Sequence, residues 1–136
     1  MLIVKKPGSK AATKFLERIA LWLRAQGIRV LVQDAVHAEE LSEGARAAAE
    51  PLGDRAGEVG MCVTLGGDGT VLFAGTLFPP EAPMPPFVSF AMGTLGFLTP
   101  YDVRDFKQAL ARVIEARGGH ALPAALQREE RPLDEM

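Results

Sequence analysis

One cysteine, one tryptophan, one tyrosine and two histidines are all that the chain holds of those residue types. A lone cysteine, Cys62, cannot close an internal disulfide, so the chain is expected to stand on a packed core in a reducing compartment. Cys62 lies inside an apolar run and reads as a small core residue rather than a nucleophile. His37 and His120 stand alone in polar or glycine-rich surroundings, and no cluster has the spacing of zinc ligands. Both are read as surface residues, and no protein-held metal is expected. No apolar run approaches the roughly 18 residues that a membrane-spanning helix needs. Lys5, Lys6 and Pro7 interrupt the N-terminal apolar stretch before it could serve as a signal peptide. There is no basic block, and the net charge is −2 with a pI near 5.7. Nucleic acid and membrane surfaces are therefore not expected partners.

What is present suits one α/β domain. The chain has 136 residues, and 48% of them are apolar, enough for a single core. Leu2-Ile3-Val4 is strand-like, Pro7-Gly8 breaks it, and Ser9 is placed to cap a helix over Lys10 to Gln26. Ala12, Phe15, Leu16, Ile19, Ala20 and Leu23 share one face of that helix, Trp22 reads as packing, and Gly27 sits where a left-handed cap belongs. Ile28 to Val32 is a second strand, so the opening reads as a βαβ unit with parallel strands. A helix is expected near Glu39 to Ala49, and strands over Met61 to Leu65 and Phe87 to Phe90. Helices are expected over Thr70 to Phe78 and Asp102 to Ala116, the second opened by Tyr101-Asp102 with Asp102 as a cap and stopped by Gly118-Gly119. The fold expected is a Rossmann-like, three-layer α/β domain over residues 1–120, with a mostly parallel sheet of about four strands and helices on both faces. Residues 121–136 are charged and read as a solvated tail or the start of another domain.

Two loops carry the chemistry. Leu65-Gly66-Gly67-Asp68-Gly69-Thr70 empties a buried strand into three glycines and a carboxylate, with a helix after it. Glycines allow close backbone approach and positive φ, and successive N–H groups running into a helix can cradle phosphate. A carboxylate repels phosphate, so Asp68 needs a purpose, and taking a proton from a hydroxyl nucleophile supplies one. The bland alternative is a hairpin turn, against which the apolar helix that follows argues. Neither the Gly-x-Gly-x-x-Gly of dinucleotide oxidoreductases nor the Gly-Lys-Ser/Thr of P-loops is present. Gly93-Thr94-Leu95-Gly96 follows the next strand of the same inferred sheet, with Phe97 beyond it. Ligands bind at the carboxyl ends of such strands, so both loops are expected to face one ligand with phosphates and a flat ring. Lys5 and Lys6 end the first strand on that side and read as solvated charge, with a phosphate contact as the alternative.

The stretches Leu65 to Thr70, Pro85-Pro86-Phe87-Val88-Ser89-Phe90 and Gly93-Thr94-Leu95-Gly96-Phe97-Leu98-Thr99-Pro100 resemble NAD kinases of the eukaryotic, plant-like sort. The first alone is shared with diacylglycerol and sphingoid lipid kinases; the third makes the resemblance specific. It implies ATP-dependent phosphorylation of the 2′-hydroxyl of the adenosine ribose of NAD, with Asp68 as the base. It further implies phosphate contacts from Gly66, Gly67, Gly69 and Thr70, and an NAD pocket formed by Gly93, Thr94, Leu95, Gly96 and Phe97. The implied ligands are ATP, NAD and a divalent ion such as Mg2+ carried with the nucleotide. The implied compartment is the cytoplasm, or a chloroplast or other organelle if a targeting segment lies upstream. Members of that family continue into a β-rich domain bearing an Asn-Glu or Asn-Asp pair and much of a homo-oligomer interface; this chain has no asparagine. A nucleotide-binding unit without turnover of its own is therefore the second expectation, and a lipid kinase domain the third.

Overall fold

The computed structural model describes residues 1–81 and 83–116. In chain order its elements are β1 (Leu2–Lys5), α1 (Lys10–Ala25), β2 (Leu31–Val32), α2 (Asp34–Glu39), α3 (Glu43–Ala48), β3 (Glu50–Pro51), β4 (Cys62–Gly66), α4 (Asp68–Gly75), β5 (Phe87–Ala91), β6 (Tyr101–Asp102) and α5 (Phe106–Ala116). Short 3-10 turns stand at Ala56–Glu58 and Val103–Asp105. All strands are parallel, in the order β3-β2-β1-β4-β5-β6. The chain builds outward from β1 to β3, returns, and builds outward on the other side from β4. The point where the direction reverses lies between β1 and β4, and in open α/β sheets a crevice opens there beyond the strand ends.

The alternation of strand side chains divides the core into two layers. Ile3, Val63, Leu65, Val88 and Phe90 face α1, α2, α3 and α5. Leu2, Val4, Leu31 and Cys62 face the other way and meet Ala74 of α4 and Phe78. The expected three-layer α/β architecture is thus present. Burial pushes the Cys62 thiol up to about 12, which suits a core residue and not a nucleophile.

Helix α1 follows its sequence signals closely. Ser9 Oγ accepts the Ala12 N–H at 3.1 Å. At the other end Gly27 takes the left-handed conformation, with φ +79°. There the Gly27 N–H donates to Arg24 O and the Ile28 N–H to Leu23 O, each at 3.0 Å, which closes a Schellman cap.

Four expectations need correction. The sheet has six strands rather than about four, because β3 and β6 each contribute two residues. β3 tolerates Pro51 because it is an edge strand: the N–H groups of Glu50 and Leu52, on either side, make the bonds to β2, and the missing donor of Pro51 falls between them. Tyr101-Asp102 pairs with Phe90 and Ala91 as β6, and Asp102 caps the 3-10 turn Val103–Asp105 rather than the α-helix itself, so α5 starts only at Phe106. The helix expected near Glu39 to Ala49 is two helices, because Ser42 caps a new one by accepting the Ala45 N–H at 3.4 Å while Glu17 accepts the Ser42 N–H at 2.7 Å. Helix α4 begins at Asp68, two residues before Thr70, and ends at Gly75 instead of Phe78. His120, Gly118-Gly119 and the segment 121–136 lie outside the described residues.

Candidate active site

The register of the sheet brings the two glycine loops to one edge. Gly66 is the last residue of β4 and pairs with Ala91, the last of β5. The loop from Met92 to Pro100 then delivers β6 beside the end of β5, Phe90 opposite Tyr101. A parallel partner normally needs a crossover of a dozen or more residues. This connection is shorter because β6 overlaps only the last two residues of β5, so the loop passes over the sheet's carboxyl edge instead of running back along a face. Its tip comes down on Asp68.

The contact is direct. Asp68 Oδ1 accepts the backbone N–H of Leu98 at 2.9 Å. Its second oxygen, Oδ2, has no hydrogen-bond partner among the described residues. Behind the tip, Thr99 is fully buried and its Oγ1 accepts the Gly96 N–H at 2.9 Å. A Cβ on Gly96 would stand 2.5 Å from Asp68 Oδ1 and 2.9 Å from Thr99 Oγ1. Gly96 is therefore a glycine so that the loop can close on the carboxylate. Asp68 also occupies the first turn of α4, where the helix dipole favours a negative charge.

The glycines of the first loop differ in what requires them. None of Gly66, Gly67 and Gly69 has positive φ; that conformation belongs to Gly8, Gly27 and Gly53. The conformational reason expected from the sequence therefore does not apply. At Gly66 the reason is space, since a Cβ would lie 2.2 Å from Thr70 Oγ1 and 2.9 Å from Thr70 Cβ. Gly66→Ala is expected to cost about 1–3 kcal/mol by overpacking a β-branched neighbour that cannot swing away, read as a lowered midpoint in thermal or urea unfolding. A Cβ on Gly67, Gly69 or Gly93 would meet nothing within 4 Å. Nothing in the fold forbids a side chain there, so the open space beside these backbones is what their glycines preserve. Gly67 caps α4 with no side-chain hydrogen bond to the helix's first N–H groups, which leaves that end bare for an anion.

Asp68, Leu95, Gly96 and Phe97 line a cleft of about 360 Å³. Phe97 is 99% exposed and Leu95 56%, so the second loop holds out an aromatic ring and an aliphatic side chain that the fold itself does not use. Thr94 is exposed on the same loop, while Thr70 is buried on α4. The structure thus brings Asp68, Leu95, Gly96 and Phe97 around one space, with Gly67 capping the adjoining helix and Gly69 in its first turn. Gly66 and Thr70 serve each other's packing beneath it.

Other candidates fall elsewhere. Asp102 accepts the Arg104 N–H at 2.9 Å, and the Arg104 guanidinium holds its carboxyl down at about 2; it is a cap, as its position in the sequence indicated. His37 lies against backbone carbonyls of Arg46 and Ala49. Lys5 departs from the sequence reading. It is not solvated charge: its side chain is fully buried, with Nζ on Glu40 Oε1 at 2.5 Å. A charged residue ending an apolar strand gives no sequence signal of burial, because its partner is supplied 35 residues away.

A family model described as the ATP-NAD kinase N-terminal domain matches residues 1–118. The chain belongs to the NAD kinase family. Among its relatives, a putative NAD kinase of Oryza sativa subsp. japonica is 33% identical over 135 residues, covering 93% of this chain and 27% of the relative. A mitochondrial NADH kinase of Saccharomyces cerevisiae is 33% identical over 129 residues, covering 85% and 31%. The crystal structure of yeast NADH kinase complexed with NADH superposes with a TM-score of 0.70 at 29% identity, covering 85% of this chain and 38% of that one. The chain thus spans about a third or less of the curated relatives it matches. The family match accounts for both glycine loops, where the lipid-kinase alternative accounted only for the first.

Proposed function

We propose that this chain carries the phosphate-binding loop and the general base of an ATP-dependent kinase that converts NAD to NADP. The observation that supports this best is the hydrogen bond between Asp68 Oδ1 and the Leu98 N–H. It fixes a carboxylate at the meeting of two glycine loops while leaving Oδ2 unpaired. In this reading the 2′-hydroxyl of the adenosine ribose lies against Oδ2 and gives up its proton there. The ribose oxygen then forms its bond to the γ-phosphorus of ATP as the bond to the bridging oxygen breaks, and ADP leaves. The bare backbone at Gly67 and Gly69 and the first turn of α4 hold phosphate oxygens. Leu95 and Phe97 cover the face of the bound nucleotide.

A divalent ion bound with the nucleotide supplies neutralisation of phosphate charge. Among the described residues no group of three or more His, Cys, Asp or Glu side chains gathers to hold an ion. The phosphates themselves would be its main ligands, with Asp68 the carboxylate beside them.

A second reading rests on the coverage of 27–31%: a nucleotide-binding unit that turns over only with further family sequence. One pair of measurements separates the readings. Calorimetric titration with NAD, alone and with ATP, is followed by an enzymatic assay for NADP. NADP formation establishes the kinase; NAD binding without it assigns the chain the binding half; absence of heat with either nucleotide removes both. Phe97→Ala is expected to weaken NAD binding by about 1–3 kcal/mol, the usual worth of stacking on an aromatic ring. Its melting temperature should stay unchanged, because the ring touches nothing the fold needs.

A further inference from the structure

A second cleft, of about 400 Å³, lies in the outer layer between α1 and α5, lined by Arg18, Leu21 and Trp22 of the first helix and Phe106 and Lys107 of the second. It is separate from the glycine loops. Residues 18, 21 and 22 stand at helical spacings of three and four, so they share a face. Trp22 meets Phe106 edge to face, with ring centroids 6.1 Å apart and planes at 84°. Trp22 is only 9% exposed, yet its indole Nε1–H has no acceptor among the described residues. Indole nitrogen is a donor only, and a buried donor left unpaired costs free energy that natural cores seldom accept. Beside it Leu21 is 51% exposed.

The rim has one sign. Arg18 is exposed, its guanidinium 5.4 Å from the Phe15 ring centroid, and Lys107 is exposed on the opposite wall. The neighbouring acids are turned to other work. Glu17 accepts the Ser42 N–H at 2.7 Å, and Asp105 lies in the field of Arg104. In a chain of net charge −2, two cations with no carboxylate partner among the described residues, flanking an apolar cleft with an N–H that none of those residues accepts, select for an anionic partner that also brings apolar surface.

We propose that this cleft docks a protein segment in which a bulky apolar side chain is flanked by carboxylates. The apolar side chain lies on Leu21, Trp22 and Phe106, the carboxylates meet Arg18 and Lys107, and an oxygen of the segment accepts from Trp22 Nε1–H.

Trp22 is the sole tryptophan, so its emission reports on the cleft. The probe is a blocked peptide, Asp-Glu-Leu-Phe-Glu-Asp, titrated into the full chain. Saturable change in Trp22 emission is expected, weakening with added salt. Charge reversal by Arg18→Glu with Lys107→Glu should reduce affinity at least about tenfold, and the peptide with lysines in place of its acids should not bind. Trp22→Phe keeps a ring against Phe106 and removes only the donor; calorimetry should show several-fold weaker binding. Should the reversed pair unfold the chain, Arg18→Ala with Lys107→Ala offers the same test more gently. No binding up to millimolar peptide, or equal binding by the charge variants, overturns the proposal. So does a dimer in sedimentation that Arg18→Glu dissolves, since the cleft would then belong to a second copy.

Discussion

Asp68→Asn should lower the rate of NADP formation by about 10²- to 10⁴-fold, the usual contribution of a general base, with little change in fold stability. The asymmetry follows from the two carboxylate oxygens. Oδ1 is structural: it accepts the Leu98 N–H and ties the second loop to the first. An asparagine Oδ1 can accept the same bond. Loss of the charge from the first turn of α4 then costs about 0.3–1 kcal/mol. In the proposed reaction Oδ2 takes the ribose proton, and an amide nitrogen in its place cannot. The loss should therefore fall in kcat while KM for NAD stays close to its original value. Asp68→Ala removes both functions, so it should raise KM as well, because the loop that bears Leu95 and Phe97 is no longer held. Steady-state kinetics, with melting temperatures beside them, read this split. An Asn variant within about threefold of the original rate would remove Asp68 as the base.

The parts of this arrangement that are legible in the sequence are those fixed by neighbours in the chain. Ser9 and Gly27 bound α1 because capping is local chemistry. The apolar runs through Val4, Val63 and Val88 give three strands, because a strand covered on both faces has no polar side to show. The meeting of Asp68 with the Gly96 loop was inferable from the shared direction of parallel strands, without any knowledge of the bond to Leu98. What escaped depends on distant partners. β3 and β6 are two residues each, too short for any alternation, and exist because β2 and β5 present open edges. Gly66, Gly67 and Gly96 look alike as letters, yet one avoids Thr70, one faces open space and one avoids Asp68. Trp22 reads from the sequence as packing, and it packs on Phe106; that its N–H meets no acceptor among the described residues is a property of the assembled layer.

Lys5 and Glu40 carry the other large expected effect, and its size depends on which partner is removed. Lys5 ends β1 with its side chain fully buried, and its register partner is Leu65, one residue before the glycine loop. Glu40, 32% exposed, follows α2 and also accepts from Thr13 Oγ1 at 3.4 Å. Glu40→Ala leaves an ammonium buried with no counter-charge. Breaking a fully buried pair in this way typically costs about 3–5 kcal/mol, and partial exposure on the Glu40 side lets water moderate that to about 2–3 kcal/mol. For a domain of this size the loss corresponds to a fall in melting temperature of roughly 10 °C. Lys5→Met removes the charge and keeps an unbranched chain of similar volume, so it should cost well under half as much. In the double variant, loss of Glu40 should add little to loss of Lys5, which is the signature of a coupled pair. Equal destabilisation by the two single variants would mean that Lys5 matters through its packing and not its charge. Because β1 and β4 meet at Lys5 and Leu65, Glu40→Ala should also loosen the Lys6 N–H bond to Leu65 O. Faster hydrogen exchange at that amide would show the strain reaching the first glycine loop, with exchange at Ile3 as the reference within the same strand.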